Sequence, residues 1–336
     1  MTRKVSGCAL RPMPIHERDP WRLQYFDNIV CPENVFIPTD DADAYRWNSR
    51  HRGVYNKLFV AESQGLKCAP HGVEPTHYPV FSKPIVNIEG MGVGSRALRN
   101  HEEYGRHYHP GNMWMTLLTG RHISSDFAVI DGNVRWIRHS IGISRPGGTF
   151  DYWTIEAEHL PELEEYCAAW IRSHLRGYSG MLNLETIGGK IIEAHLRFSD
   201  QWPDLYGSGW LDAMVRLYSH GLWNYPDSDR RTGYSVVLFG PHARQYACPA
   251  RELTSRIRAY DAVSSLQITF HPDLPAASHS MPPGGFRLAV INVCELSAGV
   301  RARRELAQAF GLEQGDLRAR APLHPRSAAE RPSQGP

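Results

Sequence analysis

An α+β fold is what this 336-residue sequence predicts, and three observations carry that expectation. Two turn sequences, Asp131-Gly132-Asn133 and Gly188-Gly189, each separate a pair of apolar, strand-like runs, the mark of antiparallel hairpins. Apolar residues at 163, 167, 168, 170, 171 and 175 recur at helical spacing between Leu160 and Arg176. Helices are thus mixed with antiparallel hairpins, and no internal repeat appears.

Along the chain, residues 1–53 are rich in Pro, Asp and aromatic residues, with short extended runs at Asn28–Cys31 and Asn34–Ile37. They read as a small, partly irregular N-terminal subdomain. Val54 to Gly65 has helical spacing and stops on glycine. Tyr78 to Pro84 reads as a short strand ended by proline, and Gly90-Met-Gly92-Val-Gly94 as a glycine-rich loop. Strands follow at Met113–Leu118, Ile123–Ile130 and Val134–Ile141. The helix Leu160–Arg176 leads to the hairpin Met181–Ile187 and Lys190–Leu196. A helix is expected at Leu211–His220, strands at Tyr234–Phe239, Ser265–Phe270 and Phe286–Val293, and a closing helix at Ala298–Phe310. Irregular segments around 139–151, 200–227 and 271–285 are where substrate specificity is expected. The tail 313–336 has too little apolar content to pack and is expected to be disordered.

Composition narrows the function classes. The chain carries 37 basic and 35 acidic side chains, a net charge of +2, and no long run of one sign in its body. Nucleic-acid and membrane-surface proteins depend on clustered cations, so neither partner is expected. The six cysteines show no CxxC and no regular spacing, which suits reduced thiols. No apolar stretch of about 18 residues is present, and no apolar segment follows the basic N-terminus. A cytoplasmic location is the resulting expectation.

Four elements carry chemistry, in a fixed order. Asn56-Lys57 opens a helix; Lys83-Pro84 runs directly into the loop of Gly90, Gly92 and Gly94; Leu117-Leu118 and His122 precede a hairpin; and Glu185 and Glu193 flank the Gly188-Gly189 turn, with His195 and Arg197 beyond. Two lysines on separate elements can hold phosphates as point charges. Successive N–H groups of a glycine loop can close over phosphate oxygens. Carboxylates on neighbouring strands of one hairpin can share Mg²⁺, and an arginine at the strand end can meet an anionic substrate or a transferring phosphoryl group. Arg145, beside Pro146-Gly-Gly148, is a candidate for holding a substrate carboxylate.

In this order the elements resemble the ATP-grasp family, in particular its carboxylate–amine ligase branch, from about Val54 to Tyr206 and more faintly to Phe310. The resemblance implies an ATP-grasp-like architecture: two α+β subdomains clasping ATP behind a short N-terminal subdomain. Residues 1–53 would form that subdomain, 54–120 the lid region, and 121–312 the C-terminal ATP-grasp and substrate region. It implies Lys57 and Lys83 on phosphates, Gly90, Gly92 and Gly94 over them, and the backbone of Leu117 and Leu118 against adenine. Glu185 and Glu193 would bind Mg²⁺. The expected reaction joins a carboxylate and an amine, amino acid-like small molecules, through an acyl phosphate, and a homodimer is compatible with it. Two positions depart from the family pattern. Glu-x-Asn-x-Arg reads Glu193-Ala-His195-Leu-Arg197, and His122 stands where relatives carry an acid for the ribose. A histidine at 195 in the metal shell would favour Mn²⁺ over Mg²⁺.

Two other readings stay open at this level. A chain that keeps the fold but not the turnover would be an ATP-binding scaffold. The cluster His101, His107 and His109 would suit a metalloenzyme unrelated to ATP.

Overall fold

The computed structural model describes residues 15–17 and 19–312. In chain order its strands and helices are β1 (Ile15–His16), α1 (Pro20–Leu23), β2 (Ile37–Pro38), α2 (Asp41–Trp47), α3 (Lys57–Glu62), β3 (Cys68–Pro70), β4 (Val80–Pro84), β5 (Arg96–Leu98), α4 (His101–Arg106), β6 (Asn112–Thr116), β7 (His122–Ile130), β8 (Asn133–Arg145), β9 (Thr149–Ile155), α5 (Pro161–His174), β10 (Gly180–Ile187), β11 (Lys190–His195), α6 (Trp210–His220), β12 (Gly233–Gly240), α7 (Arg251–Arg258), β13 (Val263–Ile268), β14 (Phe286–Val293) and α8 (Leu296–Ala309). The mixture of helices and antiparallel sheets is the α+β class expected from the sequence.

Eight strands form one antiparallel sheet in the order β11-β10-β7-β8-β9-β12-β14-β13, and four form a smaller antiparallel sheet in the order β3-β6-β4-β5. Side-chain alternation divides the large sheet into two faces. Phe127, Val129, Leu182 and Leu184 pack under α5, whose Leu163, Cys167, Trp170 and Ile171 fall on one stripe. Ala128 and Met181 point the other way, into a second core with Trp153, Trp202 and α6. A third core lies under α8, where Ala302 and Leu306 meet Val236, Leu288 and Ile291.

Local chemistry sets the helix ends. Asn56 caps α3 by accepting from the amides of Leu58 and Phe59, at 3.0 and 3.1 Å, so the helix starts at Lys57; Val54 and Tyr55, expected to be part of it, belong instead to a 3-10 turn at Arg52–Tyr55. Asp40 caps α2 through the Asp43 amide at 2.8 Å. Glu164 ties α5 to the large sheet, accepting from His139 Nε2 at 3.2 Å, His159 Nδ1 at 2.8 Å and the Leu160 amide at 3.1 Å.

Several expectations need correction. The segment 139–151 is not irregular: it completes β8 and opens β9, where Thr149-Phe-Asp-Tyr-Trp-Thr-Ile155 has the β-branched and aromatic content of a strand. Of the two extended runs near the N-terminus, only Ile37 enters a strand, pairing in parallel with Ile15. Within the part read as irregular, α2 forms at the Asp40 cap. The tail 313–336 lies outside the described residues.

Candidate active site

The face of the large sheet that carries Ala128 and Met181 also carries polar side chains. Asn183 and Glu185 on β10, and His122 and Ser124 on β7, share that face by the two-residue period. Whether β11 contributes depends on register. Ile187 pairs with Lys190 and Thr186 with Ile191, so regular pairing would set Glu185 against Ile192. A bulge between Glu185 and Thr186 shifts the register, and Glu185 stands opposite Glu193 and Asn183 opposite His195. That single irregularity turns Glu193 and His195 onto the same face as Glu185.

These residues line a cavity of about 740 Å³. Phe81, Lys83 and Met115 of the small sheet line it too, with Gly90 and Gly92 of the glycine loop and Leu117 and Leu118 of the linker between the sheets. In the loop, Gly90, Met91 and Gly92 all have positive φ, braced by Asn87, whose side chain donates to Gly90 O and accepts from its amide. Gly94 lies outside this cavity, packed on Pro84, in a smaller hollow with His107 and His109. The linker is clamped to the β10–β11 turn. A Cβ on Gly188 would fall 2.3 Å from Thr119 O and one on Gly120 would fall 2.9 Å from Gly188 Cα, and both residues have positive φ.

Charge within the site is closely paired. Lys57 does not line the cavity; its Nζ sits 2.8 Å from Glu193 Oε1. Lys83 Nζ donates to Ile192 O at 2.8 Å, and burial lowers its pKa to about 8 although Glu193 pulls it back up. His122 Nε2 donates to Glu185 Oε2 at 2.9 Å and leans on the rings of Phe150 and Trp153. Burial works to raise the pKa values of both glutamates, but His122 holds Glu185 below the usual range and Lys57 holds Glu193 well below it. The two carboxylates therefore coexist as anions.

Asp41, at the start of α2, organises the far side of the site. It accepts from Tyr55 OH at 2.9 Å, His195 Nδ1 at 3.0 Å and Arg197 Nη2 at 2.7 Å. Burial opposes a charge on His195, but the Asp41 carboxylate prevails and its pKa stands at about 9. The other ring nitrogen, Nε2, is buried without a hydrogen bond, 3.5 Å from Glu193 Oε2 and 4.0 Å from Glu185 Oε1. In this state the imidazolium neutralises the glutamates and has no lone pair to offer a metal. Nothing in the sequence pointed to Asp41, which lies more than 140 residues from the motif it serves.

Arg145 lines the cavity but is paired with Asp151, which also receives Arg303. His101, His107 and His109 do not converge. His101 pairs with Glu74, His107 meets Arg96, and His109 accepts from the Gly111 amide. Among the described residues no three His, Cys, Asp or Glu side chains are arranged to hold a metal by themselves. Two facing carboxylates nonetheless fit Mg²⁺, which takes one or two carboxylates and completes its shell with phosphate oxygens and water.

Comparison with solved structures places this arrangement. L-amino acid ligase from Bacillus licheniformis superposes with a TM-score of 0.59 at 13% identity, over 86% of this chain and 82% of that one. Phosphoribosylamine–glycine ligase from Thermotoga maritima gives 0.57 at 15%, over 83% and 84%. Carboxyaminoimidazole ribonucleotide synthase from Aspergillus clavatus, solved with ATP, gives 0.57 at 10%, over 82% and 81%. The chain has the ATP-grasp fold. No family model matches the sequence, and no curated protein matches it either. Within the ATP-grasp fold, the cavity between the two sheets collects Lys83, the glycine loop, Glu185, Glu193 and Arg197 from segments spread over more than 100 residues. No helix among the described residues is long and apolar enough to cross a membrane.

Proposed function

We propose that the chain is an ATP-dependent carboxylate–amine ligase. The observation that carries this reading is the in-register pair Glu185 and Glu193, facing a cavity whose other wall holds Lys83 and the glycine loop. The ligases among the structures of similar fold support it.

ATP would lie with its adenine along Leu117 and Leu118 and its phosphates under Gly90 and Gly92. Glu185 and Glu193 would hold Mg²⁺, which neutralises phosphate charge; His195 joins them only by giving up its proton, and Mn²⁺ becomes the better ion when it does. Lys83 holds the phosphates on one side. Lys57, released from Glu193, becomes available to them on the other. Arg197, fixed by Asp41, faces the group in transfer. The γ-phosphoryl group passes to a carboxylate oxygen of the first substrate and ADP leaves. The amine of the second substrate then attacks the acyl carbon, phosphate departs, and a proton is lost from nitrogen. Catalysis of this kind is mostly positioning and charge stabilisation. Both substrates are expected to be amino acid-like.

The test is incubation of the protein with ATP, Mg²⁺ and pooled amino acids, with ADP measured and new amides identified by mass spectrometry. The wild type should release ADP and form an amide. Glu193→Gln strands the Lys57 and His195 cations, so it should melt several degrees below the wild type, stay folded at the assay temperature and lose nearly all turnover. Full turnover in both Glu185→Gln and Glu193→Gln rejects the mechanism. ATP binding without ADP release from any substrate favours a scaffold.

A further inference from the structure

Four arginines line the cavity: Arg22, Arg145, Arg197 and Arg287. Three of them are spoken for. Arg22 pairs with Asp200 at 2.8 Å and Asp19 at 2.7 Å, Arg145 with Asp151, and Arg197 with Asp41 at 2.7 Å. Arg287, on β14, has no such partner: among the described residues no carboxylate lies within ion-pair distance, and its Nε is buried without a hydrogen bond.

A guanidinium without an ion-pair partner in a half-buried place is costly, and Asp200 and Asp19 offset that cost only from beyond ion-pair distance. Burial, helped by nearby Arg22, lowers its pKa only to about 10, so it stays charged at neutral pH. Its planar fork matches a carboxylate with two parallel hydrogen bonds.

Position decides which carboxylate. The charged groups that act on Arg287 are Arg22, Asp200 and Asp19, whereas Glu185 and Glu193 are surrounded by Lys57, Lys83, His122 and His195. Arg197 and Asp200 lie between the two sets, since Arg197 interacts with Asp41 on one side and Asp200 on the other. Arg287 therefore lies on the Asp19 and Asp200 side of the cavity, apart from the groups that surround Glu185 and Glu193. The cavity wall there mixes apolar side chains with charge already paired: Phe239 pairs with Arg287 across β12 and β14, Trp21 and Met281 line the same cavity, and the carboxylates of Asp19 and Asp200 are held by Arg22.

We infer that Arg287 anchors a carboxylate that takes no part in the chemistry, carried by the amine substrate, so that the second substrate is an α-amino acid with an apolar side chain rather than a simple amine. This rests on the ligase reading above, and it makes the product a dipeptide-like amide with a free carboxylate.

Calorimetry tests it. Each L-amino acid and its carboxamide are titrated into protein loaded with Mg²⁺ and a non-hydrolysable ATP analogue, for wild type, Arg287→Met and Arg287→Lys. Apolar amino acids such as leucine or phenylalanine should bind the wild type roughly tenfold or more tightly than their amides, as a charge-assisted pair predicts. Arg287→Met should bind acid and amide equally weakly, and Arg287→Lys should fall between. Because the Arg287 guanidinium has no hydrogen-bond or ion-pair partner among the described residues, Arg287→Met should melt no lower than the wild type, which separates a binding role from a structural one. Equal affinity of the wild type for acid and amide overturns the inference. So does the absence of any amino-acid binding, or undiminished acid binding by Arg287→Met. Failure of the nucleotide analogue to bind the wild type is a different result: it removes the ligase reading, and the same titrations without nucleotide still decide the role of Arg287.

Discussion

Asp41→Asn keeps the shape of a side chain on which two cations, buried His195 and half-buried Arg197, converge and removes its charge. Arg197 Nη2 and His195 Nδ1 lie 2.7 and 3.0 Å from its oxygens, and Asp41 and His195 are both buried. Removing one partner from a buried ion pair costs about 3–5 kcal/mol, since the stranded charge keeps its desolvation penalty. For a chain of this length that is roughly 4–7 °C in melting temperature. The pH dependence has a definite sign. His195 has a folded pKa of about 9 against an ordinary 6.5. Its share of the stability is complete below about pH 6.5 and fades as pH rises through 9. Thermal melts of wild type and Asp41→Asn should differ most near pH 6 and less near pH 9.5, where only the Arg197 half of the network remains. An Asp41→Asn protein that melts with the wild type near pH 6, or a gap that widens with pH, refutes this account of the network.

The other predictions concern the phosphate site and the α5 anchor. Lys83→Ala should weaken ATP binding by about 1.5–3 kcal/mol, roughly 10- to 150-fold in Kd by calorimetry. In the wild type, affinity should fall above about pH 8 as Lys83 loses its proton, a dependence absent from the variant. Burial works to raise the pKa of Glu164, but hydrogen bonds from His139 and His159 hold it at about 2, against an ordinary 4.5. Its contribution is present above about pH 4.5 and lost as pH falls towards 2, so melts of wild type and Glu164→Gln should draw together below about pH 4.5 and converge only near pH 2.

The hairpin that carries Glu185 and Glu193 was legible because the Gly188-Gly189 turn lies between two alternating runs. Its register was not, because the bulge that brings Glu193 and His195 to the cavity leaves no mark on composition or periodicity. Lys83, Gly90 and Gly92 could be found because they are close neighbours in sequence as well as in space. Asp41 could not, since its importance lies in contacts with residues some 150 positions away, and its surroundings looked irregular. Arg287 is the same kind of case: only the pairing of every other cavity arginine reveals that it has no ion-pair partner among the described residues. Arg145 looked available in the sequence because Asp151 comes into reach only once β8 and β9 pair.

The contact of Gly120 with Gly188 bears on how this site could escape an inhibitor. A compound lying along Leu117 and Leu118 would press on a wall whose position is set behind it by main chain packed on main chain. Resistance usually arises when a side chain in the wall is enlarged or trimmed, but here a first carbon on either glycine already collides with backbone atoms that cannot swing aside. A single substitution at Gly120 or Gly188 could not shift that wall without dislodging the turn that joins Glu185 to Glu193. Escape would have to be found at the opposite end of the cavity, where Trp21, Phe239 and Met281 are side-chain walls free to change.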